Sequence, residues 1–99
     1  MLDIFNFINL VLEKKKMTRM DFCREINKVE AKLGKARTRK ENISNFLNNK
    51  EMPRLETLIK YEFALGLESF TLIKLSGLKY NREKKKELLE LIERIKGGN

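Results

Sequence analysis

An all-α fold is predicted by three features of this 99-residue chain: apolar residues recur at three- and four-residue spacing along most of its length, a single Pro and five Gly leave few tight turns, and 36% of residues are charged. Hydrophobic residues at 41% suffice for one modest core, the most that a chain of this length builds. The expected architecture is a compact five-helix domain over residues 1–80, its second helix extended, followed by an additional amphipathic helix over 81–99.

The first helix spans Asp3 to about Met17, with Ile4, Phe5, Ile8, Val11 and Leu12 on one face. Thr18 restarts the chain as an N-cap with Asp21 in the first turn, and Phe22, Cys23, Ile26, Val29 and Leu33 carry a second helix to Gly34. Thr38 and Glu41 have the spacing of a capping box, which opens a third helix over about 39–48 with Ile43, Phe46 and Leu47 inward. Asn49 is suited to end it in left-handed backbone. Pro53 fits the first turn of a fourth helix in which Leu55, Leu58, Ile59, Ala64 and Leu65 run to Gly66. A short fifth helix follows from about Glu68 to Ser76, closed by Gly77. Asn81 caps the last helix, whose narrow stripe of Leu88, Leu91, Ile92 and Ile95 requires a cover.

Composition excludes several kinds of chemistry. The chain has no His, so it lacks the commonest general base at neutral pH and the usual partner of Cys in zinc sites; neither catalysis nor a metal or cofactor is expected. The lone Cys23 has no disulfide partner, which suits a reducing compartment. The start, Met1-Leu2-Asp3, has an acid where a secretory signal is positive, and no stretch approaches the roughly 18 apolar residues of a membrane span. A cytoplasmic protein with no membrane partner is expected.

The net charge of +8 is unevenly placed. Residues 14–40 hold eleven bases and three acids, an excess equal to that of the whole chain. Such a concentration points to a polyanionic partner rather than to general solubility.

Two capped helices, the second short, polar on one side and preceded by a basic segment, have the form of a helix-turn-helix. Ile43-Ser44-Asn45-Phe46-Leu47-Asn48-Asn49-Lys50, then Met52-Pro53-Arg54-Leu55-Glu56-Thr57-Leu58 and Ala64-Leu65-Gly66, resemble the lambda-repressor-like (Cro/C1-type, xenobiotic-response-element group) DNA-binding domains. The likeness extends over about residues 38–67, is fainter over 5–26 and is absent after 80. The resemblance implies a recognition helix whose Lys40, Glu41, Asn42, Ser44 and Asn45 face bases, and phosphate contacts from Arg19, Asn48, Lys50 and Arg54. Lys donates to guanine, Asn pairs with adenine, and Ser adapts to either; Glu41 is suited both to cytosine N4 and to the cap of its own helix.

Where the family has a short turn, this chain carries an insertion between Ile26 and Ile43. Residues 27–33 extend the bracing helix by two turns, since Leu33 falls on the face of Ile26, and Lys35-Ala36-Arg37 lengthen the turn. Lys35 and Arg37, with Lys32 and Arg39, then form a phosphate-gripping protrusion. Family members generally dimerise on palindromic operators, so Leu88, Leu91, Ile92 and Ile95 read either as a homodimer interface or as a face folded onto the domain's own first or fifth helix. The expected function is a repressor-like regulator of a phage, plasmid or other mobile element, binding double-stranded DNA and no small-molecule ligand. The rival is a helical protein-interaction or adaptor module that uses the same fold without specific DNA readout.

Overall fold

The computed structural model describes residues 3–34 and 38–97, all of whose regular structure is helical: α1 (Ile4–Lys15), α2 (Arg19–Lys32), α3 (Lys40–Asn49), α4 (Leu55–Leu65), α5 (Thr71–Ser76) and α6 (Arg82–Gly97). Each start has a local cause where a short polar residue is present. The Asp3 carboxylate accepts from the Asn6 amide at 2.8 Å and opens α1. Thr18 and Asp21 cap α2 reciprocally, Thr18 Oγ1 accepting from the Asp21 amide at 3.0 Å and Asp21 Oδ2 from the Thr18 amide at 2.9 Å. The Thr18 backbone N–H, then its hydroxyl, hold the Asp21 carboxyl below its ordinary range. Asn81 Oδ1 accepts from the Lys84 amide at 2.8 Å and opens α6.

The long second helix is present as the extension demands: α2 continues to Lys32, and Leu33 is buried on the same side as Ile26. Three boundaries differ from expectation. The left-handed residue ending α3 is Lys50, at φ 54°, not Asn49, because Asn49 keeps helical backbone and the Lys50 amide donates back to the Phe46 carbonyl at 3.1 Å. Helix α4 starts at Leu55 with Arg54 as its cap, so Pro53 stands in the preceding loop rather than in the first turn. Helix α5 starts at Thr71 rather than Glu68, because Phe70 takes a left-handed conformation at φ 72°.

That conformation has a tertiary cause. The Glu62 side chain, from α4, is 1% exposed and accepts the Phe70 amide at 2.8 Å, the Leu72 amide at 2.7 Å and the Ile73 amide at 3.4 Å. It supplies the first turn of α5 with the acceptors that a helix of six residues lacks.

The centre of the molecule is the pairing of α2 with α4; α3 packs on α2, α5 on α4 and α1, and α6 on α4 and α2. All six helices contribute to one hydrophobic cluster, and the radius of gyration of 13.0 Å is that of a single domain of this size. Leu88, Ile92 and Ile95 are 0%, 4% and 1% exposed inside it, and Leu91 packs partly buried at its edge. The stripe therefore belongs to the chain's own core and is not an open face for a second copy; it packs chiefly on α4 and α2, where the first or fifth helix was expected. Lys84 fastens the start of α6 to α4 through a salt bridge with Glu56 and also pairs with Glu87 at 3.4 Å. That contact lowers the Glu56 carboxyl from its ordinary value and raises the Lys84 ammonium. No helix among the described residues is long and apolar enough to cross a membrane.

Candidate nucleic-acid interface

Helix α3 is held from behind by aromatic packing. Phe46 lies 5.1 Å from Phe5 of α1 and 5.1 Å from Tyr61 of α4 between ring centroids, and Tyr61 in turn meets Phe22 of α2 edge-on at 5.3 Å. With Ile43 and Leu47 also buried, three inward residues in two turns determine which face of α3 points out. Burial, with Glu30 and Cys23 nearby, pushes the Tyr61 hydroxyl up to about 12, so it stays neutral within this cluster.

A polar latch positions the start of the helix. Asn27 of α2 clasps the backbone of Thr38, its Oδ1 accepting from the Thr38 amide at 2.7 Å and its Nδ2 donating to the Thr38 carbonyl at 3.1 Å. The buried Cys23 thiol donates to the same carbonyl at 3.3 Å. The Thr38 hydroxyl donates to Glu30 Oε1 at 2.9 Å, and Glu30 Oε2 lies 3.6 Å from Lys60 Nζ of α4. Both charges of that pair are nearly buried, at 10% and 12% exposure of the side chains, so each needs the other.

This arrangement corrects the capping box. Arg39 is the N-cap of α3 and no side chain caps it, because the Thr38 hydroxyl is committed to Glu30. Glu41 is left exposed and without a capping role. Replacing Asn27 with Ala removes both hydrogen bonds and orphans a part-buried amide. The expected loss is about 2 kcal/mol, or ~10 °C in melting temperature. A thermal melt followed by circular dichroism checks this; a shift within 2 °C would show that the clasp holds nothing.

Lys40, Glu41, Asn42 and Asn45 are exposed and Ser44 is half-buried on the outer face of α3. Lys40, Glu41, Ser44 and Asn45 line one shallow depression; Asn45 and Asn42 line the next, with Glu51, Met52 and Pro53. The five residues expected to face bases are thus brought together. Two expected phosphate ligands also meet, Arg19 Nη1 donating to Asn48 Oδ1 at 3.1 Å, which ties the start of α2 to the end of α3. Arg39 and Lys50 are exposed at the two ends of α3, and Arg54 is exposed at the start of α4. Lys35 and Arg37 lie outside the described residues.

No family model, curated protein or solved structure matches this chain. What the surface can do therefore rests on its own residues. Among those described, no three His, Cys, Asp or Glu gather as a metal-binding group.

Sequence reasoning missed the latch and Met52. Asn27 carried a signal: it shares a helical face with Cys23 and Glu30, a polar residue where the pattern runs inward. Met52 is 46% exposed beside Asn42 and Asn45, an apolar side chain on a polar surface.

Proposed function

We propose that this protein is a sequence-specific, double-stranded DNA-binding transcriptional regulator of repressor type, acting in the cytoplasm with α3 as the recognition helix in the major groove. One observation carries the reading. Lys40, Glu41, Ser44 and Asn45, residue types suited to base edges, converge on a single patch of an exposed helical face. Cationic Arg39 and Lys50 flank that face, and the Arg19–Asn48 contact offers a further phosphate ligand at its base. The resemblance of residues 38–67 to lambda-repressor-like domains supports the same reading. A homodimer on a palindromic site completes the proposal, with an interface other than the buried stripe of α6.

The test is a gel-shift titration with the DNA flanking the protein's own gene, unrelated duplex as competitor, at two salt concentrations. The flanking DNA is expected to be preferred at both. Asn45→Ala is expected to weaken binding to the preferred duplex about ten- to a hundred-fold while leaving unrelated duplex unaffected. Equal affinity of the wild type for both duplexes would overturn the reading in favour of an adaptor module.

A further inference from the structure

A second concentration of positive charge lies outside the helix-turn-helix region. Residues 79–86 contain five bases, Lys79, Arg82, Lys84, Lys85 and Lys86, against the single acid Glu83. Arg82, Lys84 and Lys85 are among the first four residues of α6, where cations oppose the helix dipole. Glu83 is the one acid of that first turn, whereas the last turn carries Arg94 and Lys96, as the dipole favours. Only the basic start of α6 therefore stands against the dipole, and an external polyanion offsets that cost.

The location of this cluster suggests which polyanion. Arg54, Lys79 and Lys84 line one depression between the start of α4 and the start of α6, together with Pro53, Glu56 and Lys60. Pro53 also lines the depression that contains Asn42 and Asn45, and Asn45 lines the one that contains Lys40 and Ser44. The three depressions thus form a continuous track from the base-reading face of α3 to the α4–α6 junction. Its acids are Glu41, Glu51 and Glu56, the last neutralised by Lys84. Lys60 is committed to Glu30, and Lys84 to Glu56 and Glu87. Arg54, Lys79 and Arg82 are exposed and form no ion pair with another described residue.

We infer that the DNA-binding surface continues beyond the recognition helix to a second phosphate-gripping site at the α4–α6 junction, in which Lys79 and Arg82, beside Arg54, hold the duplex backbone flanking the half-site. The inference rests on the DNA-binding reading above. A protein whose C-terminal helix is spent on its own core thereby uses the outer side of that helix to lengthen its footprint. The site adds affinity without adding sequence information, because phosphates are the same at every step.

The test compares wild type with Lys79→Ala/Arg82→Ala, and with Lys74→Ala/Lys96→Ala as a control that removes the same charge from residues outside the track. Binding to the flanking duplex and to unrelated duplex of equal length is followed by fluorescence anisotropy across a salt series. For the first variant the slope of log affinity against log salt is expected to become shallower by about 1.8, two phosphate contacts at ~0.9 each. Affinity for both duplexes is expected to fall together, leaving their ratio and the melting temperature unchanged. An unchanged slope, with wild-type DNA binding intact, overturns the second site and points to an acidic protein as the occupant of the patch. Equal loss in the control variant also overturns it, since the effect is then one of net charge. Absence of salt-dependent duplex binding by the wild type itself overturns the DNA-binding reading, and the second site with it.

Discussion

A chain truncated after Tyr80 is expected to lose its cooperative thermal transition and to show less helix by circular dichroism than removal of α6 alone accounts for. The cause is the burial of Leu88, Ile92 and Ile95 at 0%, 4% and 1% exposure against α4 and α2. Full burial of an aliphatic side chain contributes about 2 kcal/mol, so the three together supply about 6 kcal/mol. The whole stability of a domain is of the order of 5–15 kcal/mol, and the deletion removes much or all of it. Truncation also uncovers the faces of α2 and α4 on which α6 packs, and the shortened chain is expected to aggregate. Leu88→Ala in the full chain gives a graded version: a loss of about 3 kcal/mol from a fully buried position. If the truncated chain melted sharply within a few degrees of the full one, α6 would be an appendage after all.

Replacing Glu62 with Ala is expected to cost about 3 kcal/mol, because three amide donors at the start of α5 lose their acceptor in a buried place. With six residues α5 is far shorter than the roughly 12 at which a helix persists unaided, so it is expected to fray. Hydrogen exchange at the Leu72 and Ile73 amides reads this directly. Glu62→Gln retains one acceptor oxygen but turns an NH₂ group toward a donor, and about 2 kcal/mol is expected to be lost.

The same carboxyl gives a pH dependence. Burial raises it above its ordinary value of 4.5, although the Phe70, Leu72 and Ile73 amides pull the other way. The folded protein therefore binds this proton more tightly than the unfolded chain does. The contribution to stability is fully present below the unfolded value and is lost as pH rises through the higher folded one. The advantage of wild type over Glu62→Gln is expected to shrink as pH is raised from about 4.5. A margin that grows with pH instead would show that the amide bonds outweigh burial.

Two of the residues that mislead the sequence reading, Thr38 and Glu68, do so for one reason. Thr38 has the spacing of a cap, yet its hydroxyl is taken by Glu30, eight residues earlier on another helix. Glu68 stands where α5 was expected to start, but Glu62 reaches across from α4 and sets the first turn three residues later, past a left-handed Phe70. Local pattern describes what a residue offers; it does not say which of several partners in space accepts the offer. The candidate interface was more legible, because a helix with Ile43, Phe46 and Leu47 buried has only one face on which Lys40, Glu41, Ser44 and Asn45 can lie.

Apolar periodicity and short-range caps by themselves determined that the regular structure of the described residues is all helix, that Thr18 and Asn81 start two of the helices, and that the second helix runs on to Lys32, with Leu33 as its cap. Those features depend on residues three or four apart, which meet whatever the rest of the chain does. Tertiary structure alone decided that the stripe of α6 closes the core, that Asn27, Glu30 and Lys60 latch the start of α3, and that Glu62 builds α5. Each of those joins groups from different helices, whose meeting depends on how the helices pack and on the cost of leaving buried polar groups unpaired.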